Sequence, residues 1–312
     1  MRRAAVWVAA AAALALAVVL AALGVGEEEG ALGNWQALVL GLVQGLTELL
    51  PISSSGHLIL VPWLADWQYL KEHDEFNQTF DVALHLGTLV AVAAYFRRDI
   101  AALLAAWLAS VRRRRIAGPS ERVAWFVFVA TIPAALVGAV GEHFIAETLG
   151  EPWQIAIFLA AFAVVLYLAD RRPQTTRMDE LGLGTALGVG VAQSLALMPG
   201  VSRSGVTISA ARLLGLDRDS AARFSFLLLV PITLGAVLYK GVTEVVLSDL
   251  PPGSGGPFVV GTLAAAVSGL AAISALLGYV RRHDYSVFVV YRLAAAAAVL
   301  LLIATGVREA GF

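Results

Sequence analysis

The chain has 312 residues, of which 59% are hydrophobic and only 14% are charged. Soluble domains usually carry about 25% charged residues, so this chain has too few to cover a water-facing surface. Its 22 Lys and Arg nearly balance its 23 Asp and Glu, which excludes a basic nucleic-acid-binding surface, and no nucleic acid is expected as a partner. The lack of cysteine excludes disulfides, a thiolate nucleophile and a cysteine metal site. The composition predicts an all-α polytopic membrane protein.

The first apolar stretch covers residues 4–24, after Arg2-Arg3 and before three glutamates at 27–29. It is long enough to cross a bilayer. Because a signal peptide has a similar layout, residues 1–33 are predicted to be an anchor helix or a signal-like extension. Residues 34–312 are predicted to form a single membrane-embedded domain.

Six further apolar stretches predict about six core transmembrane helices. They lie near residues 80–96, 123–141, 153–169, 222–247, 257–280 and 286–306. The segments between them differ in charge, and arginine-rich segments mark the cytoplasmic side. Arginines cluster at 97–98, 112–115, 171–177 and 281–282. The acidic segment 142–151 and the segment 248–256, which lacks Lys and Arg, are predicted to be external.

Two apolar stretches are broken by polar residues. Residues 35–64 are interrupted at 51–56 (PISSSG), and residues 181–215 are interrupted at 199–205 (PGVSRSG). Each half is too short to cross a bilayer at 1.5 Å per residue. A non-helical break within the membrane must be buried in protein or line a cavity. We therefore expect two re-entrant helix–loop–helix hairpins.

The two hairpins resemble each other in sequence. They align without a gap at an offset of 149 residues, which pairs Gln44 with Gln193 and Ser53 with Ser202. The topology predicts that the repeat halves, about 34–170 and 181–306, are inverted relative to each other. The hairpin tips are then expected to meet near the bilayer midplane, where inverted-repeat membrane proteins build their sites.

The first hairpin offers a cluster of polar candidates. Gln44 and Glu48 share one helix face, and a carboxylate within the membrane is a candidate functional group. Ser53, Ser54 and Ser55 are expected to start the next helix, whose free N–H groups favour an anion. His57 follows one turn later. The candidates of the second hairpin are Ser202, Arg203, Ser204 and Thr207.

Simpler interpretations exist for each of these residues. The serines could only cap a helix, and His57 could bridge two helices through a hydrogen bond. Arg203 could close a carbonyl-lined break or pair with Glu48 to hold the hairpins together. His85, four residues after Asp81, is a weaker candidate for a supporting group.

Two motifs carry a resemblance to a known family. The first runs from Gln44 to His57 (QGLTELLPISSSGH), and the second from Pro199 to Thr207 (PGVSRSGVT). In this order they resemble the bacitracin-resistance type of undecaprenyl-diphosphatase, a bacterial integral membrane enzyme. The resemblance covers about residues 34–306. Glutamine at position 44 is a variant of the first motif, and the N-terminal helix extends beyond the usual family start.

The resemblance implies an activity and a location. The expected reaction converts undecaprenyl diphosphate and water into undecaprenyl phosphate and phosphate, which recycles the lipid carrier for wall synthesis and gives bacitracin resistance. Residues 34–312 would then be a catalytic domain in the bacterial cytoplasmic (inner) membrane, with an active site facing the exterior. Membrane lipids are expected partners, and the sequence leaves homodimerisation open.

The resemblance also implies roles for individual residues. Arg203 and the loop N–H groups would hold the phosphates, while Glu48 and Gln44 would hold Mg²⁺ or Ca²⁺. His57 would act as a general acid and base or activate the nucleophile, which is Ser54 or a metal-bound water. The remaining hydroxyls would bind the substrate through hydrogen bonds, at Ser53, Ser55, Ser202, Ser204 and Thr207.

Two other classes of membrane protein share some of these features. Lipid phosphatases of the acid-phosphatase type need a histidine shortly after their motif arginine, but the next histidine after Arg203 is His283. A flippase or secondary transporter with inverted repeats remains the alternative, since paired hairpins are common in transporters.

Overall fold

The computed structural model describes residues 32–67, 69–70, 73–173, 176–241 and 254–311. The predicted anchor at residues 4–24 lies outside the described residues. The described chain is helical, with eleven α-helices and two short 3-10 segments at Met178–Glu180 and Ser194–Leu197. The helices are α1 (Asn34–Leu49), α2 (Ser54–Ala65), α3 (Asp74–Tyr95), α4 (Arg97–Arg113), α5 (Pro119–Thr148), α6 (Pro152–Asp170), α7 (Leu183–Gln193), α8 (Arg203–Leu213), α9 (Arg218–Lys240), α10 (Gly255–Val280) and α11 (Ser286–Ala304).

Five helices are long and apolar enough to cross a membrane, namely α5, α6, α9, α10 and α11. A sixth span is counted when α3 is taken together with α4, from which it is separated by a bend of 82°. Together these helices confirm the prediction of an all-α, multi-pass membrane protein.

Residues 97–113 were predicted to be a connecting segment, but they form α4. Leu104, Leu108 and Val111 lie on one exposed face of this helix, at 55%, 48% and 44% exposure. Asp99 in its first turn and arginines in its last turn match the helix dipole. The arginines that mark the cytoplasmic side therefore belong to an amphipathic helix, which a search for long apolar runs does not detect.

Both broken stretches form a pair of short helices, as predicted. The first pair is α1 and α2, and the second is α7 and α8. Helices α7 and α8 begin 149 residues after α1 and α2, so the sequence repeat is also a repeat of helix starts. Three long helices follow each pair: α3, α5 and α6 in the first half, and α9, α10 and α11 in the second.

A long helix of each half packs against the hairpin of the other half. Helix α10 of the second half packs against α1, and α5 of the first half packs against α7. Two repeat-related glycines permit these close approaches. A Cβ atom on Gly41 would lie 2.3 Å from the carbonyl oxygen of Gly261, and one on Gly190 would lie 2.4 Å from that of Ala130. Each hairpin is therefore held by the opposite half, which brings the two breaks together.

Candidate active site

The second helix of each hairpin is preceded by one serine, and these two serines share the same unusual backbone conformation. Ser53 has φ 78° and Ser202 has φ 77°, in a region that residues other than glycine rarely adopt. The Oγ atom of Ser53 accepts a hydrogen bond from Gly56 N, and that of Ser202 accepts one from Gly205 N. The predicted helix starts are therefore confirmed, and both have strained backbones of the kind that cluster at functional sites.

The two breaks are in direct contact. Gly200 N donates to Ser53 Oγ at 3.1 Å, and Ser204 Oγ donates to the carbonyl oxygen of Leu50 at 2.9 Å. These bonds join the second hairpin to the first through buried atoms. The predicted convergence of the tips is therefore present in the structure.

Glu48 lies at the centre of the polar cluster. Its Oε2 atom accepts hydrogen bonds from Ser54 Oγ at 2.5 Å and from Gln44 Nε2 at 3.4 Å. Its Oε1 atom accepts one from Arg203 Nε at 3.1 Å. His85 Nε2 lies 3.7 Å from Oε2. The carboxylate, only 5% exposed, thus links both hairpins and α3.

Two polar atoms in this cluster are buried and lack a hydrogen-bond partner among the described residues. They are Nη2 of Arg203 and Oε1 of Gln44. The other terminal nitrogen of Arg203, Nη1, donates to the carbonyl oxygen of Ser225 at 2.9 Å. Buried polar groups are normally paired, so an unpaired donor and an unpaired acceptor beside one carboxylate indicate a site that a ligand completes.

The candidate hydroxyls fall into two groups. Ser53, Ser202, Ser204 and Thr207 are at most 3% exposed. Ser53 and Ser204 bond across to the other hairpin, and Thr207 Oγ1 lies 2.7 Å from Ser225 Oγ on α9. Ser202 bonds within its own hairpin, to Gly205 N and Ser204 Oγ. Ser54 and Ser55 are partly exposed at the start of α2. The structure thus places Ser54 and Ser55, but not the buried four, where a substrate could reach them.

Both ring nitrogens of His57 contact groups other than Ser54. Nδ1 lies 2.6 Å from the carbonyl oxygen of Ser53, and Nε2 lies 2.6 Å from the hydroxyl of Tyr291. Because a carbonyl only accepts, Nδ1 of the neutral ring carries the proton and Nε2 accepts from Tyr291. Among the described residues, no hydrogen bond joins this ring to Ser54 or Glu48. The group beside Ser54 is therefore Glu48.

Arg292 on α11 was missed in the sequence. It is fully buried, and its guanidinium donates to the carbonyl oxygens of Pro51 at 3.1 Å, Gly200 at 3.0 Å and Val201 at 3.1 Å. It also reaches the middle of α6 through the carbonyls of Phe158 and Leu159, so it binds five carbonyl groups in all. One side chain thus binds both hairpin breaks. The signal was present, because a lone arginine within an apolar span is expensive and indicates a specific role.

Arg292→Lys is expected to destabilise the protein by about 2 kcal/mol. Lysine keeps the charge but offers three donors, so about two buried carbonyl groups lose a partner at about 1 kcal/mol each. Thermal unfolding in detergent measures the effect. Arg203→Lys is the matched control, since Arg203 is partly exposed and its loss leaves few carbonyls unpaired. An Arg292→Lys protein as stable as this control would contradict the role of Arg292 in holding the two hairpin breaks together.

A divalent cation fits these residues only in part. Among the described residues, no group of three or more His, Asp or Glu side chains could hold a metal ion. However, Mg²⁺ is commonly bound through one or two carboxylates together with substrate phosphates. Glu48 supplies one carboxylate, and the unpaired Oε1 of Gln44 supplies a second oxygen beside it. The donor set therefore fits a cation whose coordination the substrate completes.

Comparisons of the sequence with known proteins cover both hairpins. The family model of bacitracin resistance protein BacA matches residues 37–298. An undecaprenyl-diphosphatase of Geobacter sulfurreducens is 48% identical over 266 residues, which cover 85% of this chain and 96% of the relative. One of Thermomicrobium roseum is 45% identical over 278 residues, or 86% of this chain and 98% of the relative. One of Pelotomaculum thermopropionicum is 44% identical over 281 residues, or 89% and 99%.

Proposed function

This chain belongs to the family of bacitracin resistance protein BacA, and we propose that it hydrolyses undecaprenyl diphosphate to undecaprenyl phosphate and inorganic phosphate. The relatives named undecaprenyl-diphosphatase support this substrate. The observation that carries the proposal is the buried, unpaired Nη2 of Arg203 beside the Ser54–Glu48 pair. This site combines an anion-binding group with a hydroxyl that has a base next to it. The reaction recycles the lipid carrier for wall synthesis and gives bacitracin resistance.

Ser54 is the proposed nucleophile. Its hydroxyl proton passes to Glu48, which already accepts its hydrogen bond. Oγ forms a bond to the terminal phosphorus, the bond from this phosphorus to the bridging oxygen breaks, and undecaprenyl phosphate leaves. Water then splits the phosphoserine, which gives inorganic phosphate and restores the hydroxyl of Ser54. Direct attack by water on the diphosphate is the alternative.

Arg203 and the helix starts are proposed to hold the diphosphate. Arginine suits bidentate contacts with phosphate oxygens, and Nη2 is available for one of them. Helices α2 and α8 both begin where the two breaks meet, and helix N-termini favour an anion. Phosphoryl transfer needs positioning and neutralisation of charge more than covalent chemistry.

The roles of the other candidates follow from their contacts. His57 is proposed to position the start of α2 through Ser53 and Tyr291, and its acid–base role stays a prediction. Glu48 and Gln44 are proposed to hold a Mg²⁺ or Ca²⁺ ion. Such an ion would neutralise the phosphate charge in the transition state.

Removal of divalent cations is expected to stop phosphate release, and added Mg²⁺ or Ca²⁺ should restore it. Gln44→Ala should raise the Mg²⁺ concentration needed for half-maximal rate by about tenfold, because one oxygen ligand is lost. Gln193→Ala is the matched control, since Gln193 is the buried repeat equivalent on α7. Full activity in EDTA, or an equal shift in both variants, would contradict the cation site.

The protein is proposed to lie in the bacterial cytoplasmic membrane with its active site open to the exterior. Residues 34–312 would form one catalytic domain made of the inverted halves 34–170 and 181–306. The arginine-rich segments support the orientation, since they alternate with the acidic segment 142–151. Each re-entrant hairpin would then enter from the opposite side of the membrane. The isoprenoid tail stays in lipid while the headgroup reaches the tips.

This orientation is testable with single cysteines, because the chain has none of its own. In intact cells, Thr148→Cys at the end of α5 should react with an impermeant thiol reagent. Arg282→Cys, which is also exposed, should react only after the membrane is permeabilised. The reverse labelling pattern would place the active site on the cytoplasmic side.

Phosphate release in detergent distinguishes an enzyme from a transporter. Detergent micelles have no compartments, so a flippase or transporter shows no activity in them. The purified chain is expected to release one phosphate per undecaprenyl diphosphate under these conditions. A preparation that binds the lipid but releases no phosphate would contradict the proposed hydrolysis.

A further inference from the structure

A polar cavity lies away from the hairpin tips. It has a volume of about 390 Å³ and lies where α6 and α8 end and α9 and α11 begin. None of its lining residues belongs to the candidate active site. Its charged lining consists of four arginines and two aspartates, a net charge of +2: Arg171, Arg172, Arg212, Arg218, Asp170 and Asp284. A cavity of this charge suits an anion.

The inner wall of the cavity is built around Asp170. Its carboxylate accepts from Arg212 Nε at 3.2 Å, from Arg218 Nε at 2.7 Å and from the backbone N of Tyr285 at 2.9 Å. Arg212 is fully buried, and its Nη1 donates to the carbonyl oxygen of Leu216 at 2.6 Å. One carboxylate thus serves two guanidinium groups, which leaves an excess positive charge in a fixed position.

The outer rim of the cavity adjoins the surface that faces lipid. Arg171 lies 4.5 Å above the ring of Tyr167, and its Nη2 atom is 2.5 Å from the Tyr167 hydroxyl. Tyr167 is 40% exposed, and its neighbour Leu168 is 58% exposed on the apolar helix α6. Tyrosine is typical of the membrane–water interface, so the cavity lies at headgroup level.

We propose that this cavity binds a phosphate group, and that the phosphate belongs to the headgroup of an anionic phospholipid. Basic pockets between transmembrane helices on the cytoplasmic side suit such headgroups. Arg171 and Arg172 at the rim contact the phosphate, while Arg212 and Arg218 supply the positive field behind it. The start of α11 at Ser286 also lines the cavity and adds the positive end of its dipole. The choice of leaflet rests on the proposed orientation, but the binding does not.

The experiment measures thermal unfolding of the purified protein in detergent during titration with phosphatidylglycerol, phosphatidylcholine or inorganic phosphate. The test variant is Arg171→Gln/Arg172→Gln, which leaves the Asp170 cluster intact. The matched control is Arg114→Gln/Arg115→Gln, which removes the same charge from exposed arginines outside the cavity. Unfolding temperatures without lipid show whether both variants are folded.

Phosphatidylglycerol is expected to stabilise the wild type and the control, with phosphatidylcholine much weaker. The test variant should need about thirtyfold more phosphatidylglycerol for the same shift, because two arginines that face the anion are lost. If inorganic phosphate gives the same variant-dependent shift and the lipid adds nothing, the bound phosphate comes from solution and the cavity remains a phosphate site. Equal responses of the test variant and the control, in lipid and in phosphate, would overturn the proposal.

Discussion

Ser54→Ala is expected to reduce phosphate release by more than about a thousandfold, as losses of catalytic serines do elsewhere. Ser54 is partly exposed, lies at a helix start, and its Oγ atom makes a 2.5 Å hydrogen bond to Glu48. None of the other candidate hydroxyls at the two tips has all three features. Initial rates with purified protein measure the loss. Ser55→Ala is the matched control, since Ser55 is a partly exposed neighbour without this bond, and its effect should be mild.

A smaller loss would change the mechanism. If Ser54→Ala retains more than about a tenth of the activity, the serine contributes less than about 1.4 kcal/mol to lowering the barrier. Such a result would favour direct attack by water. The unfolding temperature of Ser54→Ala should match that of the wild type, because the hydroxyl is not part of the contacts that join the hairpins.

Arg203→Lys is expected to lower kcat/KM, with a rise in the corresponding activation barrier of about 2–4 kcal/mol. Losses of this order follow the removal of one transition-state donor. Lysine keeps the charge but loses the planar pair of donors that matches a phosphate. In the structure, Nε is bonded to Glu48 and Nη1 to Ser225, so Nη2 is the donor left for the substrate. Arg203→Ala should lose more activity.

Stability separates this role from a structural one. If Arg203 mainly ties the hairpins together through Glu48, Arg203→Ala should unfold at a lower temperature and Arg203→Lys should be nearly as active as the wild type. The structure assigns the structural task to Arg292, whose buried bonds reach both breaks. A fully active Arg203→Lys enzyme would remove the proposed bidentate contact with phosphate.

The hairpins could be predicted from sequence because their signals are local. Proline, glycine and serine break an apolar run within a few residues, and the 149-residue repeat of Ser53 and Ser202 shows that both breaks share one design. The strained φ angles of these serines could not be read from the sequence, since serine rarely adopts them. For Ser53, one contact at this position forms only when the tips meet, the hydrogen bond from Gly200 N to Ser53 Oγ.

Other features depend on contacts between distant parts of the chain. Arg292 binds Pro51 from a position 241 residues away, and Tyr291 reaches His57 over 234 residues. No short pattern encodes such pairs, although a single arginine in an apolar helix indicates that partners must exist. The cluster around Asp170 was overlooked for a related reason. Arg171 and Arg172 are interpreted as markers of topology, and no local motif identifies Arg212 and Arg218, whose shared carboxylate appears only when α6, α8 and α9 pack.

The most direct test of a single active site shared by both hairpins is a double-mutant cycle between Glu48 and Arg203, whose side chains meet at 3.1 Å. The value of kcat/KM for undecaprenyl diphosphate is measured for the wild type, Glu48→Gln, Arg203→Lys and the double variant. One shared site predicts that the two losses are coupled by about 0.5–3 kcal/mol, so that the double variant differs from the sum of the single effects. Losses that add within about 0.5 kcal/mol, as for distant independent sites, would contradict it.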